Sequence, residues 1–227
     1  MTPYIETTDL SKIFKTGDTP ALDALNLSVK KGEVYGFLGA NGAGKSTTIR
    51  LLLNFIQPSS GRARIMGQDV VSEGVAIKRL VGYLAGDVAL WPKVTGNEVF
   101  AYLGKLQSQV NHDYLAELIK RFEAEPDKRI DQLSKGNRQK IGIIQALMHQ
   151  PDVLILDEPT SGLDPLMQEV FYEEIRRAAD RGAAVFVSSH NLTEAQRMCD
   201  RVGIIKHGRL IREYSIKDDT NLGSITF

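Results

Sequence analysis

Apolar and polar residues alternate from Tyr4 to Asp9 and from Leu22 to Val29, the period of half-buried strands. Between them, Thr16-Gly17-Asp18-Thr19-Pro20 is turn chemistry. Glu33 to Leu38 predicts a buried strand, and Ser46 to Phe55 a helix directly after it. Pro58-Ser59-Ser60-Gly61 turns the chain into a strand at Arg62 to Met66. Val81 to Leu84 is a short apolar strand after a charged stretch. The pattern then changes: Thr95 to Gln109, Asp113 to Glu123 and Ser134 to His149 read as helices, the last stopped by Pro151. Val153 to Leu156 is an apolar run ending in acids, the pattern of a central parallel strand. Leu166 to Arg181 predicts a helix, Ala183 to Val187 a buried strand and Asn191 to Met198 a further helix. Val202 to Ile205 and Arg209 to Glu213 close with strands. The whole reads as α/β: a strand–helix core interrupted by a helical block.

The link between the first buried strand and its helix carries the sharpest chemistry. Gly39-Ala40-Asn41-Gly42-Ala43-Gly44-Lys45-Ser46 fits G-x-x-x-x-G-K-[ST], the phosphate-binding P-loop. Glycines at Gly39, Gly42 and Gly44 let backbone N–H groups wrap a polyphosphate, and the helix N-terminus faces the anion. Lys45 reaches the β- and γ-phosphates, and the Ser46 hydroxyl is placed for Mg²⁺. The motif implies a nucleoside triphosphate and leaves open what its energy does. Asp157, at the end of the apolar strand, is spaced to bind the hydration shell of Mg²⁺. Glu158, one residue beyond, is placed to take a proton from a water aimed at the γ-phosphate. Both acids require the P-loop strand and the Asp157 strand to approach, and their separation along the chain lets the two lie side by side.

Composition narrows the partners. The chain has 227 residues, 28 Lys plus Arg against 28 Asp plus Glu, so a formal net charge of zero. A broad nucleic-acid surface needs uncompensated cations, and none is implied here. The one cysteine, Cys199, excludes a disulfide framework and zinc-ligand spacing. No basic start followed by an apolar stretch marks a signal peptide, and no apolar run approaches the roughly 18 residues of a spanning helix. The chain is expected to be soluble by itself and to serve a membrane only through a partner.

A third motif points to a family. Leu133-Ser134-Lys135-Gly136-Asn137-Arg138-Gln139 opens the helix before the Asp157 strand, with Ser134 a good N-cap. The order of P-loop, helical block, this segment and Asp157-Glu158 resembles ABC-type ATPases, whose signature is Leu-Ser-Gly-Gly-Gln. Lys135 and Asn137 depart from that signature; the lysine is a variant met among bacterial drug-export subunits, and the Asn amide still donates a hydrogen bond. Ser161-Gly162-Leu163-Asp164-Pro165 resembles the family's D-loop, and Ser188-Ser189-His190 its switch histidine. Phe14 sits where the family stacks an aromatic ring on adenine. Val81-Gly82-Tyr83-Leu84-Ala85-Gly86-Asp87 matches the segment that ordinarily carries Gln or Glu where this chain has Gly86. Asp87, one residue along, is the candidate metal contact in its stead. The resemblance covers Tyr4 to Glu213.

The resemblance implies a P-loop NTPase core with a mostly parallel central sheet, an N-terminal antiparallel β subdomain and an inserted α-helical subdomain. Residues 1–86 and 151–213 would form the core, 87–150 the helical signature subdomain and 214–227 a tail. It implies an ATPase using ATP and Mg²⁺, with Phe14, Gly39, Asn41, Gly42, Gly44, Lys45, Ser46 and Thr47 on the nucleotide. Lys45, Glu158 and His190 would be catalytic, with Ser46 and Asp157 (through water) on the metal. Ser134, Lys135, Gly136 and Asn137 of a second monomer would close the site in trans, with Asp164 along the boundary. The partners implied are a second ATPase subunit, identical or not, and a separate polytopic membrane subunit at the cytoplasmic face of the membrane. Leu90, Trp91, Tyr102 and Leu103 are candidates for that contact. Many drug-export members carry a C-terminal extension longer than this chain has room for, so regulation through one is not expected. The competing reading is a soluble ABC-type ATPase acting on DNA or ribosomes; such members insert coiled coils or zinc modules, or fuse two ATPase units, and this chain has neither. A P-loop GTPase or small-molecule kinase leaves the Ser134 segment unexplained.

Overall fold

Strand β1 (Ile5–Lys12) pairs antiparallel with β2 (Leu22–Val29), and β3 (Val34–Leu38) then enters a different sheet. The computed structural model describes residues 2–15, 19–106 and 110–216. From β3 the chain runs through α1 (Lys45–Leu52) to β4 (Ser60–Ile65) and β5 (Gln68–Asp69). Next come α2 (Gly74–Leu80) and β6 (Val81–Leu84), then α3 (Gly96–Leu106), α4 (His112–Arg121) and α5 (Lys135–Leu147). The order closes with β7 (Val153–Asp157), α6 (Pro165–Asp180), β8 (Ala184–Ser189), α7 (Leu192–Met198), β9 (Arg201–Lys206) and β10 (Arg209–Ser215).

The strands divide into a four-stranded antiparallel sheet, β2-β1-β4-β5, and a six-stranded sheet, β10-β9-β3-β8-β7-β6. In the larger sheet every neighbouring pair is parallel except the β9–β10 hairpin. Strands β3, β7 and β8 are buried at every position, as expected of parallel strands covered on both faces. Their side chains alternate between two cores. Val34, Leu38, Leu154, Leu156, Val185 and Val187 pack towards α5 and α6, with Ile144, Phe171 and Ile175. Tyr35, Phe37, Val153, Ile155 and Phe186 face the other way, with Ile49 of α1 and Ile5, Leu25 and Ile65 of the antiparallel sheet. The α/β class, the mostly parallel sheet and the antiparallel β unit are as the sequence implies.

One expectation fails. Strand β8 lies between β3 and β7, so the P-loop strand and the Asp157 strand are not side by side. Chain separation limits reach but does not set strand order, and an apolar run such as β8, buried on both faces, takes a central place. The short helix α2 lies in the stretch read only as charged; it buries just Gly74 and Ile77, too little for a helical period to stand out. The predicted helix end at Gln109, part of the Thr16–Pro20 turn and the tail from residue 217 lie outside the described residues.

Candidate functional site

The carboxyl ends of β3, β7 and β8 meet at a cavity of about 590 Å³, the position where open parallel sheets hold ligands. Its wall includes Asn41, Gly42, Gly44, Lys45, Ser46 and Thr47 from the P-loop side, and Asp157, Glu158, Ser161 and His190 from the β7 and β8 ends. Gly44 is the residue on which α1 begins: its φ of 116° is open to glycine, and a Cβ there would lie 2.9 Å from the Ala21 carbonyl oxygen. The first turn of α1 carries no acid, so its unpaired N–H groups and dipole favour an anion.

Side chains converge within this cavity. Lys45 is buried; its Nζ donates to the carbonyl oxygens of Gly39 at 2.6 Å and Ala40 at 3.3 Å. It also pairs with Glu158 Oε1 at 3.3 Å. The other Glu158 oxygen is 2.8 Å from His190 Nδ1. Ser46 Oγ donates to Asp157 Oδ2 at 3.0 Å, and Ser188 Oγ donates to Asp157 Oδ1. Glu158 has φ of 47°, in the left-handed region, a strained state for a residue with a side chain. Its N–H donates to both the carbonyl and the hydroxyl of Ser188, at 3.2 and 3.1 Å, which holds that conformation. Tyr83 and Arg50 also line the cavity, and sequence reasoning passed over both. Burial, then the Asp157 charge, pushes the Tyr83 phenol above its ordinary pKa.

The Ser46 hydroxyl and the Asp157 carboxylate, 3.0 Å apart, are oxygen donors of the kind that would hold Mg²⁺, directly or through its water. Among the described residues no group of three or more His, Cys, Asp or Glu forms a metal cage. Asp87 and Gly86 both line the cavity. A Cβ at Gly86 would stand 3.5 Å from the Asp157 carboxylate, an ordinary contact, so the position has room for a side chain that this chain lacks.

Other sequence candidates lie elsewhere. Phe14 is 41% exposed, under the Lys12 ammonium at 5.4 Å, and is not among the cavity residues. The signature residues Ser134 to Asn137 do not line the cavity either. Ser134 caps α5, accepting the Asn137 N–H at 3.2 Å. Lys135 reaches Ser161 Oγ at 3.4 Å. Gly136 abuts the loop after Glu158 so closely that a Cβ would lie 2.8 Å from the Gly162 carbonyl oxygen. The Asn137 amide, expected still to donate a hydrogen bond, donates to Glu125 Oε2 of the same chain at 2.8 Å. Asp164 is the N-cap of α6, accepting the Met167 N–H at 3.0 Å.

The ABC transporter family model matches residues 22–161. The chain belongs to the ABC transporter family. It is 38% identical over 220 residues to the bacitracin transport ATP-binding protein BcrA of Bacillus licheniformis, covering 94% of this chain and 70% of that protein. It is 38% identical to the daunorubicin/doxorubicin resistance ATP-binding protein DrrA of Streptomyces peucetius, covering 93% of this chain and 65% of that one. A solved ATP-binding subunit of an ABC transporter superposes with a TM-score of 0.86 at 28% identity, over 96% of this chain and 91% of its own. A dimeric ATP-binding cassette in a post-hydrolysis state with ADP and phosphate gives 0.84 at 26% identity, over 93% and 98%. The chain is thus an ATP-binding ABC ATPase, similar to ATP-binding proteins of bacterial drug and antibiotic transport. No helix among its described residues is long and apolar enough to cross a membrane.

Proposed function

We propose that this ABC ATPase drives export through a separate membrane subunit, at the cytoplasmic face of the membrane, by closing and opening a head-to-tail dimer around ATP. The observation that supports the reading is the separation of two groups of residues. Lys45, Ser46, Asp157, Glu158 and His190 share one cavity, while Ser134 and Lys135 stand exposed outside it. A second copy or a related subunit, turned about a two-fold axis, supplies its α5 N-terminus to the open side. The Ser134 oxygen already accepts one bond, and its O–H remains a donor for a γ-phosphate oxygen.

In the bound state the γ-phosphate displaces Glu158 as the partner of Lys45, and the phosphate charge is neutralised by that ammonium. Ser46 and Asp157 would hold Mg²⁺, which supplies further charge neutralisation on the β- and γ-phosphates. Glu158, freed from Lys45, takes the proton of the attacking water. The water oxygen bonds to γ-phosphorus, the bond to the β–γ bridging oxygen breaks, and ADP leaves inorganic phosphate behind. His190 keeps Nδ1 on Glu158 and turns Nε2 to the γ-phosphate. Phe14 would stack on the adenine, and Asp87, which lines the cavity, would be the carboxylate nearest to hand for the metal in place of the side chain missing at Gly86. Loss of phosphate removes what joins the two halves.

Replacing Glu158→Gln tests this. The variant is expected to bind ATP with unchanged affinity, turn over about 10²- to 10⁴-fold more slowly and elute as an ATP-dependent dimer. Wild-type turnover would sink the assignment. Tagged E158Q protein with ATP is also expected to recover a polytopic membrane protein from native membranes in near-equal amount. Recovery of ribosomes or nucleic acid instead would favour the soluble ABC ATPase.

A further inference from the structure

A set of hydrogen bonds joins α5, the loop after Glu158, α7 and the end of β8. Gln139 of α5, buried, donates Nε2–H to the Pro159 carbonyl at 2.7 Å. The next residue, Thr160, also buried, donates its hydroxyl to Glu194 Oε2 at 2.8 Å. Ser189, which ends β8 and precedes His190, donates its own hydroxyl to the same Glu194 oxygen at 3.2 Å. Ser189 Oγ also accepts the Asn191 N–H at 3.0 Å, and its carbonyl accepts the Gly39 N–H at 3.3 Å.

We propose that Glu194 is a positioning residue for ATP hydrolysis, clamping the loop that carries Glu158 to the strand end that carries His190. One carboxylate oxygen holds the residue two beyond Glu158 and the residue just before His190. Glu158 is in a left-handed conformation, which persists only where its surroundings over-determine it. From the amino side that constraint comes from Ser188. From the carboxyl side it comes from Pro159, held by Gln139, and Thr160, held by Glu194. Bonds to an ionised acceptor are the stronger kind, and a buried hydroxyl such as that of Thr160 needs an acceptor. Nor is Glu194 used as a helix cap: it stands three residues after the N-cap Asn191, yet its carboxylate turns away to Thr160 and Ser189. Its charge, after burial, pushes the neighbouring Tyr172 phenol up to about 12.

The inference rests on the reading of Glu158 and His190 as the hydrolytic pair, so E158Q is measured beside the test variants. The full chain is prepared as Glu194→Ala, Glu194→Gln and Thr160→Val. For each, kcat and KM for ATP, affinity for a non-hydrolysable ATP analogue and the thermal midpoint are read. Glu194→Ala is expected to lower kcat about tenfold or more, with KM and analogue affinity within about twofold. Glu194→Gln, whose amide oxygen still accepts both hydroxyls, is expected to restore most of that loss. If Glu194→Ala does not fold, Thr160→Val carries the test, with the same fall in kcat expected. Wild-type kcat in Glu194→Ala and Thr160→Val alongside inactive E158Q would overturn the proposal. So would a loss confined to nucleotide affinity, or a Gln variant no better than Ala. Wild-type turnover in E158Q itself would remove both the hydrolytic reading and this inference.

Discussion

Lys45 carries more of the candidate site than any other single side chain. Its ammonium is buried among two carbonyl oxygens and the Glu158 carboxylate, poised where a γ-phosphate would exchange for that carboxylate. Charge-assisted bonds contribute roughly 1.5–3 kcal/mol each, so Lys45→Ala is expected to weaken ATP binding about ten- to a hundredfold. A calorimetric titration with unchanged affinity would contradict its role. At this scale the sequence was most legible. The P-loop and the Asp157-Glu158 pair are short local patterns, so their residues could be named as candidates from the sequence alone. Asn137 shows the opposite case, since its amide is taken by Glu125, twelve residues upstream, and no local pattern announces that bond. Glu194 was equally hidden: its partners Thr160 and Ser189 come from two other elements.

Between elements, the helical block is tied to α6 through a buried carboxylate. Glu174 of α6 is fully buried, accepting the Tyr114 hydroxyl of α4 at 3.1 Å and pairing with Arg121 at 3.0 Å and Arg177 at 3.2 Å. Burial and the Glu174 charge in turn push the Tyr114 phenol up to about 12. Arg121 and Arg177 keep Glu173 and Glu117 as second partners, so losing Glu174 does not strand them. Glu174→Ala is therefore expected to cost about 1–3 kcal/mol rather than the larger penalty of an orphaned buried charge. Urea unfolding measures that cost, and hydrogen exchange should show lost protection in α4. An unchanged midpoint with unchanged α4 protection would show that the tie is dispensable. Element types were readable because burial leaves a pattern: β3, β7 and β8, buried on both faces, are mostly apolar runs, broken only at the polar ends of β7 and β8 and at Gly36. Helix α2 was not, because it buries too few positions to leave one.

On the scale of the whole molecule, an exposed apolar corner sits on the helical block. Trp91 and Tyr102 are 51% and 54% exposed and meet edge to face, ring centroids 5.3 Å apart. Leu90 and Leu103 instead turn part-way into the core beneath. The exposed pair is the better candidate for the proposed membrane-subunit contact, since aromatics are enriched among the residues that anchor interfaces. Trp91→Ala is expected to leave the ATPase rate of the isolated chain within about twofold while reducing recovery of the membrane partner by about tenfold or more. Equal recovery of the partner would assign that contact to another face. What the sequence determined by itself was the chemistry of each segment and the kind of element bearing it, because motif spacing and hydrophobic period are local properties. The tertiary structure alone decided which segments meet. It set β8 between β3 and β7 and still brought Ser46 to Asp157 across the strand ends. It left Ser134 outside the cavity and gathered Thr160 and Ser189 on Glu194. Strand order and long-range hydrogen bonds follow from how whole apolar faces are buried together, and no single stretch of chain contains that information.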